Sequence, residues 1–169
     1  QETLARVRCE NTAIQAAAFH LTRLQDELDL NEINAEVSTD KKLVARLLTN
    51  AIKYVSSAWS VEHIRQSIGI LAGNGAIESF STLPRLFRDS IVCENWEGTH
   101  NTLRAQVLRD ILRYRIQEPF FDYISSLLAS ESSLPELEPL LKLLDESKCE
   151  VENFCNLEPV LQNLKIREV

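Results

Sequence analysis

Gly69-Ile70-Leu71-Ala72-Gly73-Asn74-Gly75 and, further along, Trp96-Glu97-Gly98-Thr99 together hold all four glycines of the chain. Glycine stands where a backbone needs a positive φ or must pass close to another group. These two short stretches are therefore the expected turns, and the chain on either side of them keeps helical spacing. Upstream, Leu43, Val44, Leu47, Ala51, Tyr54, Val55, Ala58, Val61, Ile64 and Ile68 recur at a helical period for about seven turns. That helix is expected to end where Gly69 begins the first glycine stretch, and Thr39 or Asp40 offers a side-chain oxygen to cap its start.

An earlier helix is marked by Leu4, Val7, Ile14, Ala17, Ala18, Leu21, Leu24 and Leu28, with Asp29–Ser38 read as a loop after it. Between the two glycine stretches, Leu83-Pro84-Arg85-Leu86-Phe87-Arg88-Asp89-Ser90 is a short helix whose proline suits a first turn. Thr99 then caps a helix carrying Leu103, Val107, Leu108, Ile111 and Leu112. Pro119 suggests a break, followed by leucine-rich segments at Phe120–Ala129, Pro135–Leu144 and Val151–Leu164, with Pro135, Pro139 and Pro159 as boundary signals. No alternating pattern is long enough for a strand. The reading is an all-α chain.

At 169 residues, 44% hydrophobic and 25% charged, the composition is that of an ordinary globular protein. The chain contains no methionine, even at its first position, which leads us to expect a processed product or a piece of something longer. No run reaches the length of about 20 apolar residues that a membrane span needs, and no basic-then-apolar leader opens the chain. Cys9, Cys93, Cys149 and Cys155 form no C-x-x-C pair and have no histidine at ligand spacing, so reduced thiols are expected and no metal site is. Residues 115–169 carry five basic against eleven acidic side chains, whereas residues 1–114 are nearly balanced. An acidic tail is the wrong surface for binding phosphates.

Read from the residues alone, Glu97 is a carboxylate just before a helix start, where the helix dipole favours it by roughly 0.3–1 kcal/mol. The ordered set is more specific. Glycine turn, Arg-Asp helix and aromatic–Glu–Gly–Thr, in this order and at this spacing, resemble the C-terminal helical domain of acyl-CoA dehydrogenases over residues 1–114, with 115–169 as a helical extension. The resemblance implies a helical bundle in a homodimer or homotetramer. It makes Glu97 the base that takes the α-proton of an acyl-CoA thioester while the β-hydride leaves for FAD. It also makes Trp96 and Gly98 substrate contacts, and Gly73, Thr99 and Asn101 flavin contacts, with His100 between them facing solvent.

The upstream match is looser. The family pattern is Gln-x-x-Gly-Gly-x-Gly, and here Gly69 stands in the Gln position and Ala72 in that of the first paired glycine. Gln66, one turn earlier, is a candidate substitute. Arg85, Arg88 and Asp89 are read as solvated or mutually paired charges rather than ligands for substrate, and the Arg-Asp pair as structural.

The resemblance further implies flavoprotein chemistry in fatty acid metabolism, with electron-transfer flavoprotein as acceptor, in the cytoplasm or, in a eukaryote, the mitochondrial matrix. The N-terminal helical and middle β-domains that complete such an enzyme are not in this sequence, so the chain alone is expected to be inactive. Two other readings remain open. One is the AidB-like branch, which has extra C-terminal helices and is associated with DNA protection. The other is a catalytically silent oligomerisation scaffold.

Overall fold

The computed structural model describes residues 1–34, 38–129 and 137–166. Among them it contains helices α1 (Glu2–Ile33), α2 (Thr39–Ile70), α3 (Leu83–Asn95), α4 (His100–Tyr114), α5 (Gln117–Ala129), α6 (Glu138–Cys155) and α7 (Pro159–Lys165), plus a 3-10 turn at Ala72–Ala76. No strand occurs among the described residues. The chain divides into two compact units, one of residues 1–26 and 48–103, the other of residues 27–47 and 104–169.

In the second unit, α1 takes in the first five residues of the expected loop, 29–33. Leu28 is buried there, and Lys41 and Lys42 pair with Glu27 and Glu32 at 3.2 Å, tying the end of α1 to the start of α2. The α2 cap is Ser38, whose hydroxyl accepts the Lys41 N–H at 3.3 Å. Thr39 and Asp40 are already helical, so they cannot take the cap position.

The core of this unit is Leu108, Ile111, Ile116 and Phe154, flanked by Leu43, Leu47, Val107, Cys155, Leu157 and Ile166. Residues beyond Tyr114 thus share one core with α2 and α4. The break expected at Pro119 falls earlier, at Arg115, which has φ 51°, and Pro119 sits in the first turn of α5, where its missing N–H costs nothing. The segments expected to separate at Leu144 and Val151 form the single helix α6. Its end is closed by Gln162, a buried side chain that donates to the Cys155 and Phe154 carbonyls at 3.0 and 3.4 Å. The boundary expected at Pro135 lies outside the described residues.

Asp110 is the most unusual member of this unit. It is 1% exposed, and its two oxygens accept from Arg46 at 2.6 and 3.1 Å. The bonds and charge of Asp110 hold the Arg46 pKa above its ordinary value.

In the first unit, Leu24 is the buried end of the α1 stripe. Near its other end, Glu10 meets the buried His63 of α2 at 2.5 Å. The 3-10 turn packs against α3. This unit holds both glycine stretches.

Candidate functional site

Helix α3 carries Pro84 in its first turn and closes at Trp96, whose N–H donates to the Val92 carbonyl at 3.1 Å. The chain then reverses through two left-handed residues, Glu97 at φ 55° and Gly98 at φ 112°. Gly98 is required here: besides its φ, a Cβ would lie 3.3 Å from the Leu103 side chain. Glu97 is the costlier choice, because a left-handed residue with a Cβ loses about 1–2 kcal/mol. Thr99 follows as the cap of α4, its hydroxyl 3.4 Å from the Thr102 N–H. The sequence expectation for Thr99 as a cap agrees with this geometry.

Trp96 is 70% exposed, and Glu97, Thr99 and Asn101 are exposed as well. The turn therefore presents an indole, a carboxylate and the first turn of a 15-residue helix on one open surface. A carboxylate can act as a base only toward a C–H that a neighbouring group has made acidic.

His100 does not face solvent as expected. It is half-buried, with Nε2 3.1 Å from the buried Ser57 hydroxyl and its ring edge-on to Tyr54 at 4.6 Å between centroids. Glu94 lies 3.9 Å from the same nitrogen. On the other side of the turn, Lys53 donates to the Cys93 carbonyl at 2.7 Å. The sequence reading missed Lys53 and Ser57. Their signal is present, since they stand four residues apart and so on one helix face, as polar interruptions among apolar positions.

The glycine stretch folds differently from its sequence reading. Gly69 lies inside α2, which runs to Ile70. The left-handed residue that ends the helix is Ala72, at φ 50°. This explains why glycine suits that place and marks Ala72 as a strained substitute. Gly75 is fixed by close approach, since a Cβ there would lie 2.3 Å from the Ile68 carbonyl oxygen. Gly73 is exposed, and a Cβ on it would meet nothing within 4 Å.

Gln66 donates to Glu62 at 2.6 Å, while its own Oε1 is buried with no partner among the described residues. Hydrogen bonds from Arg65 and then Gln66 bring the Glu62 carboxyl down to about 2. Arg85 and Asp89 are exposed and 3.8 Å apart, whereas Arg88 pairs outside the set, with Glu78 at 2.5 Å.

The five positions Trp96, Glu97, Gly98, Thr99 and Asn101 are thus brought together in one turn and the helix start behind it. Gly73 belongs to the separate 3-10 turn, which precedes α3 in the chain. Among the described residues, no helix is long and apolar enough to cross a membrane, and no group of three His, Cys, Asp or Glu side chains could hold a metal ion.

Residues 1–112 match the family model for the acyl-CoA dehydrogenase C-terminal domain. Acyl-CoA dehydrogenase family member 11 of Caenorhabditis elegans is 33% identical over 108 residues, covering 63% of this chain and 16% of the relative. The putative acyl-CoA dehydrogenase AidB of Escherichia coli K12 is 30% identical over 109 residues, covering 64% of this chain and 18% of the relative. A solved structure titled Bd2924 apo-form superposes with a TM-score of 0.76 at 22% identity, over 99% of this chain and 29% of its own, a likeness of fold. The chain spans less than a fifth of the length of these two curated relatives.

Proposed function

Because the chain belongs to the acyl-CoA dehydrogenase family and carries its C-terminal helical domain, we propose that it serves in a full-length protein as one wall of an FAD-dependent acyl-CoA dehydrogenase site. Glu97 is the general base of this proposal. The observation that carries it is the left-handed turn, which sets an exposed carboxylate between an exposed indole and the start of α4.

The chain's own residues have definable tasks. Trp96 offers a flat apolar surface beside an acyl chain, and Gly98 lets a thioester lie close to the backbone. Glu97 Oε takes the α-proton and becomes a neutral carboxylic acid. Within this chain Glu97 is exposed, so the desolvation that raises a carboxylate toward a useful pKa has to come from what covers the turn.

The residues present fit the edge of a flavin site. Gly73 leaves open space above its backbone, the Gln66 Oε1 is buried without a partner, and Thr99 and Asn101 stand exposed at the start of α4. These are the positions that would touch FAD, which when bound supplies the hydride acceptor. Large exposed apolar side chains, among them Leu4, Phe19 and Ile33, support use of the same domain in homo-oligomer contacts. Electron-transfer flavoprotein is the proposed acceptor, and acyl-CoA the proposed substrate class.

A DNA-protecting role is the second reading, the one implied by the resemblance of the helical extension to the AidB-like branch. It is weaker because residues 115–169 carry five basic against eleven acidic side chains. The separating experiment is purification of the full-length protein, followed by its visible spectrum and a salt-dependent DNA retention assay. A flavin spectrum that is lost on mixing with a saturated acyl-CoA supports the first reading. A colourless protein, or one retained on DNA at physiological salt, opposes it.

A further inference from the structure

The turn that carries Glu97 is fastened on both sides to one face of α2. Ahead of the turn, the Lys53 ammonium donates to the Cys93 carbonyl at 2.7 Å, in the last turn of α3. Behind it, His100 opens α4 with Nε2 3.1 Å from the Ser57 Oγ and its ring 4.6 Å from that of Tyr54. Ser57 gives its own proton to the Lys53 carbonyl at 2.8 Å, which leaves its oxygen to accept from His100. Ser57 stands four residues from Lys53 and three from Tyr54, so it shares a helix face with each of them. Between the two fastenings the backbone is left-handed at Glu97, and a non-glycine residue keeps such a conformation only where its surroundings over-determine it.

We propose that Lys53 and the Ser57–His100 pair are positioning residues for Glu97. Together they hold the ends of α3 and α4 at the separation that forces the left-handed turn and fixes where the carboxylate points. The inference rests on the reading of Glu97 as the base, and a part of its test does not depend on that reading. Neither side chain needs to touch substrate. Each acts through the backbone, so losing either should loosen the turn without unfolding the helices around it.

The test uses the full-length protein and the variants Lys53→Met and His100→Ala, with Lys53→Arg and His100→Gln as conservative partners that keep a donor. Hydrogen exchange of the 96–102 amides is expected to rise about five- to tenfold in Lys53→Met and His100→Ala, the change that follows loss of one net hydrogen bond. Exchange elsewhere in α2 stays as in wild type, and Lys53→Arg and His100→Gln restore the protected turn. With acyl-CoA, the same two variants should lose kcat while KM stays unchanged. Unchanged exchange at 96–102 in both variants overturns the inference. So does a loosened turn with full kcat, provided Glu97→Gln still abolishes turnover. If Glu97→Gln leaves turnover intact, the reading of Glu97 as base is what fails, and with it the positioning role; the exchange data then still report whether the fastening exists.

Discussion

Replacing Arg46 by alanine should be among the most damaging single changes outside the apolar core. Asp110 is 1% exposed and Arg46 supplies both of its hydrogen bonds, at 2.6 and 3.1 Å. Removing one partner of a buried ion pair commonly costs about 3–5 kcal/mol, since the remaining charge is left desolvated and unpaired. Here the side chain of Arg46 is 51% exposed, so water can enter the space it leaves. That argues for the lower end, about 3 kcal/mol.

For a chain of this size each kcal/mol shifts the midpoint by about 2–4 °C, which puts the expected loss at about 6–12 °C. Hydrogen bonds and charge from Asp110 raise the Arg46 pKa above its ordinary value, so the pair's contribution is lost only in strongly basic solution, and assays near neutrality see it fully. The assay is urea unfolding followed by circular dichroism, with Arg46→Met to keep the apolar stem and Arg46→Met/Asp110→Leu to remove both charges. The double variant should recover most of the loss, because an apolar pair of similar volume is tolerated where a lone charge is not. An Arg46→Ala variant within 1 kcal/mol of wild type, or a double variant no better than the single, would refute the reasoning.

Ala72→Gly should raise stability by about 1 kcal/mol by relieving the left-handed φ of 50°, read as a higher urea midpoint; an unchanged or lower midpoint would contradict it. Gly75→Ala should do the reverse and more strongly, because its Cβ would meet the Ile68 carbonyl oxygen at 2.3 Å. Phe154→Ala, which empties the centre of the second unit's core, is expected to cost about 3–5 kcal/mol, measured by the same unfolding curves. Glu62 titrates at about 2, so its stabilising effect is present above the ordinary carboxylate range and fades as pH falls toward 2. Its side chain is 44% exposed, which limits Glu62→Gln to less than about 1 kcal/mol at neutral pH, with the difference from wild type shrinking as pH falls through that value.

Much of this architecture was legible because helical burial repeats at a fixed period. The stripes ending at Leu28 and running from Leu43 into α2 are found buried at Leu24, Leu28 and Val44, and Thr99 caps α4 where the sequence placed it. What escaped has a common cause. The chain turns left-handed at Ala72, Glu97 and Arg115, which are not glycines, and a rule that looks for glycine places such turns a few residues away. It put the first one at Gly69, inside α2, and the break after α4 at Pro119.

Apolar content alone is a poor guide to burial in the last helices. Leu140, Leu141, Leu161 and Leu164 are 42–68% exposed, whereas Phe121 and Phe154 carry the packing. Partners distant in sequence were hidden as well. Asp110 interrupts the apolar run of α4, and Lys53 and Ser57 interrupt that of α2, but nothing local to those residues names Arg46, Cys93 or His100 as their contacts. The candidate base itself was found by resemblance. The structure adds the left-handed backbone that holds it.

The central claim is that Glu97 removes the α-proton of an acyl thioester, and the most direct measurement is flavin bleaching in the full-length protein on rapid mixing with saturated acyl-CoAs of several lengths. Glu97→Gln keeps the size of the side chain and cannot accept the proton, so flavin content should be unchanged while bleaching slows by about 10²–10⁴-fold, the usual worth of a positioned general base. Glu94→Gln, which alters a carboxylate 3.9 Å from His100, should bleach at close to the wild-type rate. Equal bleaching by wild type and Glu97→Gln would contradict the account.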